Sequence, residues 1–411
     1  MVNVCRVVRR AAVISLHTSP LVQPGSGDSG GMNVYVRELV SALAQAGVEC
    51  TTFTRADRAG LPDEVVVEPG HRVVHLEAGP HHLPKEALVD VTDDFRRGML
   101  DWFARNDVPD VIHGNYWLSG VVGHHLKHEL DVPFVSTFHT LARVKAAGGD
   151  PESLQRDRAE AEIVQCTDAI CVSCPEEEEQ FRLHYGDPQG RLEIIAPGVE
   201  HAFFAPGDQA GARRALGFDV DRPLLLFVGR IQPLKGPDVA IRALAELGDP
   251  RATLVIVGGA SGPDGDIETR RATALVDELG LHDRVRFVPP QPHHILSTYY
   301  RAADVVLAPS RSESFGLVAL EAAACGVPVV ASAVGGLISL VDDGRTGRLI
   351  DGRDPADFAR AVSEILGDDH VRAAMRGAAV ARARNYTWGF AAARLRRLYS
   401  DLTVRELVTC Q

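Results

Sequence analysis

The stretch DVVLAPSRSESFGLVALEAAACGVPVVAS (residues 304–332) contains two short apolar runs separated by a loop and a helical pattern. The runs DVVLAPS (304–310) and PVVAS (328–332) are rich in β-branched and small apolar residues, which is typical of buried parallel strands. Between them, FGLVALEAAACG (315–326) is rich in helix formers and ends in glycine. The stretch therefore predicts a strand–helix–strand unit, which is right-handed when both strands lie in one sheet.

The same alternation of apolar runs and helical patterns extends along the chain in both directions. Further predicted strands in the second half are LLLFVG (224–229), TLVIVGG (253–259) and VRFV (285–288). Those in the first half are AAVISL (11–16), ECTTFTRAD (49–57), VIHGN (111–115), FVSTFH (134–139), AICVSC (169–174) and LEIIA (192–196). This alternation predicts an α/β fold with doubly wound parallel sheets.

A segment rich in glycine and proline, PGVEHAFFAPGDQAGARRALG (197–217), separates the two sets of strands. Such segments are typical of domain boundaries, and a length of 411 residues suits two domains. We therefore predict Rossmann-like domains over residues 1–205 and 206–387. The helical segment 388–411 is expected to pack back on the first domain.

Composition and charge disfavour several classes of protein. The net charge of −12 disfavours a nucleic-acid partner, and no apolar stretch is long enough to span a membrane. Seven cysteines, an odd number in a large chain, suggest a reducing compartment, so we expect a cytoplasmic protein. Cys171 and Cys174 form a single C-x-x-C at the end of an apolar run, and we interpret them as structural thiols. We predict no metal site, and a homodimer is left open.

Residues 25–30, GSGDSG, match the dinucleotide-binding pattern G-x-G-x-x-G. The glycines stand well after the first predicted strand, and the second strand ends in Thr54-Arg55 without the acidic residue that binds a ribose. An NADP enzyme could use Arg55, but the glycines remain misplaced for an NAD(P)-dependent oxidoreductase. We interpret Gly30 and Gly31 as a helix start whose amides face a sugar diphosphate.

The second half carries residue types that suit such a ligand. Arg230 and Lys235 lie just past a predicted strand, where paired cations can bind a diphosphate. Glu313 precedes a helix start, and the amides of residues 315–317 can point at phosphate. Glu321 lies inside an apolar helix, where a carboxylate needs a partner.

With these motifs the chain resembles the retaining glycosyltransferases of family 4. ESFGLVALE (313–321) matches the E-x7-E motif of that family, and GRIQPLKG (229–236) matches its diphosphate loop. The resemblance implies the GT-B fold, in which two Rossmann-like domains face a central cleft. It also implies a nucleotide-sugar donor and front-face attack, with no required cofactor and Mg²⁺ optional on the diphosphate.

The first half is similar to a narrower group. HTSPLVQPGSGDSGGMNVYV (17–36), NYWLSG (115–120) and FHTLARVK (138–145) resemble the D-inositol-3-phosphate glycosyltransferases of mycothiol biosynthesis. The resemblance implies transfer of N-acetylglucosamine from UDP-N-acetylglucosamine to 1D-myo-inositol 3-phosphate. The positions matching the acceptor-phosphate ligands of that group are Lys85, Tyr116, Thr140 and Arg156.

The resemblance assigns further roles one residue at a time. The acceptor pocket is expected to include His17, Asp28, Ser29, Gly30, Met32 and Asn33. Donor contacts are expected from Gln23, Pro24, Gly31, Phe315, Gly316 and Leu317. Arg230 and Lys235 are expected to bind the diphosphate, Glu313 the transferred sugar and Glu321 the ribose. His139 matches a histidine near the transferred sugar, and we count it as catalytic together with Glu313, Arg230 and Lys235.

Three positions depart from the pattern of the narrower group. Asn115 replaces a histidine, Ala146 an asparagine and Gln291 an arginine. These changes leave open another acceptor, such as an aminocyclitol or a sugar phosphate, and another nucleotide sugar. A non-catalytic binding module is also conceivable, but the joint presence of Arg230, Lys235, Glu313 and Glu321 argues against it.

Overall fold

The computed structural model describes residues 7–25, 29–150, 152–261 and 265–410. The chain forms two compact units. The first comprises Met1–Val22, Met32–Gly198 and Trp388–Gln411, and the second comprises Gln23–Gly31 and Val199–Thr387. The division after Gly198 falls inside the segment rich in glycine and proline. The short stretch Gln23–Gly31, which we had assigned to the N-terminal domain, groups with the second unit instead.

The first unit is built on an eight-stranded sheet. Its strands are β1 (Arg10–Ile14), β2 (Glu49–Arg55), β3 (Glu64–Glu68), β4 (His71–Leu76), β5 (Val111–Asn115), β6 (Phe134–Thr137), β7 (Ala169–Val172) and β8 (Arg191–Ile194). The order is β3-β4-β2-β1-β5-β6-β7-β8, and only β3 runs antiparallel to its neighbour. Neither β3 nor β4 was predicted, although β3 contains three consecutive valines; glutamates flank that run, and the strand is a half-exposed edge strand.

Helices cover this sheet. They are α1 (Gly31–Gln45), α2 (Thr92–Phe103), α3 (Trp117–Leu130), α4 (Ala142–Ala147), α5 (Leu154–Cys166), α6 (Pro175–Tyr185) and α15 (Trp388–Leu402), with a 3-10 helix over Lys85–Val91. The predicted face of α1 is buried through Val36, Leu39, Val40 and Leu43. Residues of α15 share a core with that face, so this helix packs on the first unit. Its buried area is therefore part of the stability of that unit.

The second unit holds a six-stranded parallel sheet. Its strands are β9 (Leu224–Val228), β10 (Thr253–Val257), β11 (Val285–Val288), β12 (Val305–Ala308), β13 (Val329–Ser332) and β14 (Gly347–Ile350), in the order β11-β10-β9-β12-β13-β14. The helices are α7 (Gln209–Leu216), α8 (Pro237–Glu246), α9 (Gly265–Glu278), α10 (His293–Ala302), α11 (Leu317–Ala324), α12 (Gly336–Leu340), α13 (Pro355–Gly367) and α14 (Asp369–Ala383). The quoted stretch 304–332 is β12, α11 and β13, as predicted.

The predicted strands overlap observed ones, but most of the observed strands end earlier. The runs at 11–16, 134–139 and 169–174 stop at Ile14, Thr137 and Val172. The residues beyond these ends are buried or half-buried but lie in loops at the carboxyl edge of the sheet, where parallel α/β folds place their ligand-binding groups.

The cysteines of the described chain occur both as free thiols and in a disulfide. Cys171 and Cys174 are buried thiols, which confirms that interpretation. Cys166 and Cys410 are joined by a disulfide, which the cysteine count had not suggested. None of the described helices combines the length and apolarity that a membrane crossing requires.

Candidate active site

The loop that follows β9 carries the two cations predicted to bind a diphosphate. Nζ of Lys235 donates to Oε2 of Glu313 at 2.5 Å, and the two side chains are only 22% and 21% exposed. Arg230 lies on the same loop, with Nη1 3.4 Å from Oγ of Ser261. The structure therefore brings together the predicted diphosphate lysine and the predicted sugar-binding carboxylate within the second unit.

Two glycines hold the Glu313 segment in place. The amide of Gly336 donates to the carbonyl of Glu313 at 3.0 Å. A Cβ on Gly335 would lie 1.9 Å from that carbonyl oxygen, and one on Gly336 would lie 2.4 Å from Phe315. Gly335 also has a φ of 46°. Only glycine permits such an approach, so this contact fixes the backbone that presents Glu313.

The start of α11 offers backbone donors. The helix begins at Leu317, and Gly316 precedes it with a φ of 99°. Among the described residues, the amides of Phe315, Gly316 and Leu317 donate no hydrogen bond. Amides at a helix start bind anions well, because they point outward along the helix dipole. The phosphate contact expected of these amides stays a prediction, and their position at the helix start suits it.

The described parts of the glycine-rich segment, residues 23–25 and 29–31, lie beside the Arg230 loop. The amide of Gly259 donates to the carbonyl of Gly25 at 3.0 Å, and Nε2 of Gln23 donates to the carbonyl of Gln291 at 3.1 Å. A Cβ on Gly30 would lie 3.3 Å from Nε of Arg230. Gly31 is the first residue of α1, as expected. The glycines thus allow close approach to a cationic loop, as a phosphate-binding segment requires.

Other predicted residues of this stretch occupy less distinctive positions. The carbonyl of Ser29 accepts from the amide of Gly25 at 3.0 Å, and Pro24 is half-buried. Met32 packs against the cores of the first unit. Nδ2 of Asn33 donates to Oγ1 of Thr18 and to the carbonyl of Ser19, both at 2.8 Å. Asp28 lies outside the described residues.

The predicted acceptor-phosphate ligands converge on the ring of Tyr116 in the first unit. The ring centroid lies 4.8 Å from Nζ of Lys85 and 4.9 Å from Cζ of Arg156. The ring of His17 is 4.5 Å away, centroid to centroid. His17, Tyr116 and Thr140 all follow the carboxyl ends of adjacent strands, β1, β5 and β6. Parallel strands deliver such residues to one edge of the sheet.

Arg156 connects these groups from α5. Its side chain is 3% exposed, and Nε pairs with Glu160 at 2.7 Å. Nη1 donates to the hydroxyl of Tyr116 at 3.2 Å and pairs with Glu152 at 2.9 Å. Nη2 donates to the carbonyl and the hydroxyl of Thr140, at 2.7 and 3.0 Å. Because a guanidinium has five N–H groups, every donor of Arg156 is engaged.

His139 adopts a constrained conformation directly after β6. Its φ is 63°, a region that non-glycine residues rarely adopt. Nε2 lies 2.9 Å from Oδ1 of Asn115, and because an amide oxygen only accepts, this nitrogen carries the proton. Burial lowers the pKa of His139 to about 3. The imidazole is therefore neutral at physiological pH, and it packs edge-on against Tyr35.

Both halves of the chain match glycosyltransferase families. Residues 30–198 match the Glycosyl transferase 4-like domain, and residues 208–382 match the Glycosyl transferases group 1 family. The D-inositol 3-phosphate glycosyltransferase of Corynebacterium efficiens is 44% identical over 410 residues, covering 97% of this chain and 96% of that protein. The chain belongs to the D-inositol 3-phosphate glycosyltransferase family.

Solved structures establish the fold of this glycosyltransferase. Sucrose-phosphate synthase from Thermosynechococcus elongatus is similar with a TM-score of 0.90 and 35% identity, over 96% of this chain and 99% of that one. Anabaena HepE, solved in complex with UDP and glucose, is similar with a TM-score of 0.77 and 19% identity, over 96% and 100% of the two chains. The predicted GT-B fold and glycosyltransferase class are confirmed.

Of the three positions that depart from the family pattern, Asn115 and Gln291 make hydrogen bonds in the site. Asn115 accepts the hydrogen bond of His139, so it orients the imidazole. Gln291 holds Gln23 through its carbonyl, an interaction that does not depend on its side chain. Ala146 lies in α4.

Sequence reasoning missed the partners of two predicted residues. Glu152 and Glu160 stand four positions before and after Arg156, a spacing that brings side chains together on a helix. That signal was available from the sequence. Tyr300 donates to Oε2 of Glu321 at 2.7 Å from α10, and no local pattern could have paired these two residues.

The pKa of the Glu321 carboxyl is shifted by its surroundings. It is buried at 7% exposure, and its hydrogen bond comes from the Tyr300 hydroxyl. Burial raises the pKa of Glu321 to about 7, and the Tyr300 hydrogen bond opposes that rise. The carboxyl therefore binds its proton more tightly in the folded chain than in the unfolded chain, for which the pKa is 4.5.

This raised pKa predicts a stability that falls as pH rises. Below pH 4.5 the folded and unfolded forms are both protonated, and the stabilising proton is lost as pH rises through about 7. Relative to Glu321→Gln, we expect the free energy of unfolding of the wild type to fall by about 3 kcal/mol between pH 4.5 and 8. Urea unfolding of both proteins followed by circular dichroism measures the difference. A difference that is constant with pH would contradict the shifted pKa.

Proposed function

We propose that this glycosyltransferase transfers N-acetylglucosamine from UDP-N-acetylglucosamine to 1D-myo-inositol 3-phosphate, with retention of configuration. The observation that carries the proposal is the convergence of Lys85 and Arg156 on Tyr116, next to Thr140. Two cations and two hydroxyls in a half-buried group suit a phosphorylated acceptor. The name of the Corynebacterium efficiens relative supports inositol 3-phosphate, and HepE was solved with UDP.

The acceptor phosphate would replace the carboxylate of Glu152. Oε1 of Glu152 is shared between Arg156 and Lys145, and Lys145 also pairs with Asp150 at 2.9 Å. A phosphate dianion is a stronger partner for these cations than a single carboxylate. Its arrival would release an Nη1 donor of Arg156, while the bonds from Arg156 to Glu160 and Thr140 keep the guanidinium in place. Arg156 then binds phosphate without moving.

In the donor half, positive charge and amides stabilise the leaving group. As the bond from the anomeric carbon to the diphosphate breaks, negative charge grows on the phosphate oxygens. Lys235, Arg230 and the amides of residues 315–317 are available to that charge, and preorganised donors act without further reorganisation. Glu313 would accept hydroxyls of the transferred sugar, and Glu321 those of the ribose.

Retention is proposed to follow front-face attack. The acceptor oxygen bonds to the anomeric carbon on the side from which the diphosphate departs, and the departing phosphate oxygen takes the acceptor proton. His139 is neutral, since burial lowers its pKa to about 3, so it would line the sugar rather than supply a proton. The route requires no metal, although Mg²⁺ can accompany the diphosphate.

We also propose a cytoplasmic reaction, because an odd number of cysteines suits a reducing compartment, in which the disulfide between Cys166 and Cys410 would be reduced.

The test is UDP release from UDP-N-acetylglucosamine with three acceptors: 1D-myo-inositol 3-phosphate, myo-inositol and fructose 6-phosphate. We expect release only with the inositol phosphate, and an α-linked product by nuclear magnetic resonance. Release with fructose 6-phosphate alone would favour a sugar-phosphate acceptor. Equal release with myo-inositol would contradict a phosphate role for Lys85, Tyr116, Thr140 and Arg156. A product with inverted configuration would contradict front-face attack.

A further inference from the structure

Four potential metal ligands meet on the first unit, away from the residues described above. His124 and His128 lie on α3, Cys166 is the last residue of α5, and Cys410 lies near the end of the chain. One ligand atom from each lies within 4.8 Å of the others. We propose that these four side chains bind one zinc ion when the disulfide between Cys166 and Cys410 is reduced.

The donor set and its geometry suit zinc. Two thiolates and two imidazoles are a common tetrahedral set for structural zinc, and softer sulfur ligands disfavour magnesium and calcium. With bonds of about 2.3 Å to sulfur and about 2.0 Å to nitrogen, neighbouring sulfur and nitrogen ligands should be roughly 3.5 Å apart. Nε2 of His128 and Nε2 of His124 lie 3.1 and 3.6 Å from Sγ of Cys410. Both imidazoles thus already point at the same sulfur.

A disulfide alone does not require this arrangement of imidazoles. His124 and His128 are four residues apart, so one face of α3 presents both rings to the sulfur pair. A third histidine, His125, stacks on His124 at 5.5 Å but is not part of the group. It provides a matched comparison on the same helix.

The backbone around the group is held without sulfur. Nζ of Lys127, which is buried at 1% exposure, donates to the carbonyls of Cys166 and Val408 at 2.7 and 2.8 Å. It also pairs with Asp168 at 2.9 Å, and the amide of Val408 donates to the same carboxylate at 2.7 Å. These bonds fix the chain beside both cysteines, so the ligands remain close after reduction. A site prepared in this way binds metal with little ordering cost.

The disulfide and the metal site use the same sulfurs and exclude one another. A dithiol reductant supplies two electrons and two protons to the bond between Cys166 and Cys410, and itself becomes a disulfide. Zinc then displaces the two thiol protons into solvent and binds the thiolates. The metal would tie the C-terminal segment to α3 and α5, as the disulfide does in the oxidised chain.

Only part of this group is visible in the sequence. His124 and His128 have the spacing of paired ligands on a helix, and our prediction of no metal site overlooked it. Cys410 lies 244 residues after Cys166, so their proximity depends on the fold.

The experiment measures zinc in the full chain after reduction by a phosphine, which does not compete for metal as a dithiol does. After dialysis against a small excess of Zn²⁺ and then buffer, we expect one zinc per chain by elemental analysis. Cobalt in place of zinc should give a thiolate-to-metal absorption band. Zinc should also raise the melting temperature of the reduced wild type.

Zinc binding by three variants and by the oxidised chain is compared with that of the reduced wild type. His128→Ala and Cys410→Ala should each weaken zinc binding at least tenfold, and His128 is exposed, so its replacement should not impair folding. His125→Ala should bind zinc as the wild type does. Absence of stoichiometric zinc in the folded, reduced wild type would overturn the proposal. So would equal binding by the oxidised chain, or an equal loss in His125→Ala.

Discussion

Replacing Lys235 by alanine is expected to lower kcat for UDP release by about 10²–10³-fold while the protein remains folded. Under the proposed function this ammonium faces the charge that grows on the departing diphosphate, and such a donor is most useful in the transition state. Loss of one preorganised donor typically raises the barrier by about 3–4 kcal/mol. Steady-state UDP release with saturating donor and acceptor measures the effect.

The fold should tolerate this change. The pair between Lys235 and Glu313 is partly exposed, so we expect its loss to cost about 1 kcal/mol of stability or less. Arg251→Ala is the matched control, since it removes an exposed cation that is paired with Asp249 in the same unit. The control should turn over normally. If Lys235→Ala retained turnover within about threefold of the control, the leaving-group role would be wrong.

The sequence predicted most of the fold because buried parallel strands leave a strong local signal. Runs such as LLLFVG and TLVIVGG are apolar on both faces, and the sheet of the second unit has them at its centre. Strands without such a run were missed. Gly347–Ile350 includes a glycine and an arginine, and Glu64–Glu68 is a half-exposed edge strand. Each is an edge strand that pairs with the strand next to it in the chain, and this pairing rather than composition defines it.

The sequence predicted the parts of the candidate site that lie in local motifs, but it did not predict the contacts between distant residues. Motifs close in sequence, such as the Arg230 loop and the start of α11, indicate their own chemistry through residue type and position. Contacts between residues that are distant in the sequence leave no such local signal. The bond between Tyr300 and Glu321 and the cluster of rings and cations around Tyr116 each need three-dimensional placement. Arg156 was identified only through resemblance, and its engagement of every donor became visible in the structure alone.

Replacing Arg156 by methionine is expected to destabilise the first unit by about 3–5 kcal/mol. The side chain of Glu160 is fully buried, and without the guanidinium its charge would keep only the hydrogen bonds from Tyr185 and the amide of Ala142. A buried charge that has lost its partner is costly. All three tryptophans, Trp102, Trp117 and Trp388, belong to the first unit, so urea unfolding followed by tryptophan fluorescence reports on that unit.

A second substitution separates stability from acceptor binding. Glu160→Gln in the methionine background removes the stranded charge, so the double variant should recover part of the lost stability. It should not recover turnover with inositol 3-phosphate, because the guanidinium of Arg156 is still missing. Arg158→Met, on the exposed side of α5, should change neither quantity. A loss below about 1 kcal/mol in Arg156→Met would mean that the buried pair contributes little. If the double variant recovered turnover, the guanidinium of Arg156 would be needed only to neutralise Glu160. It would then not bind the acceptor phosphate.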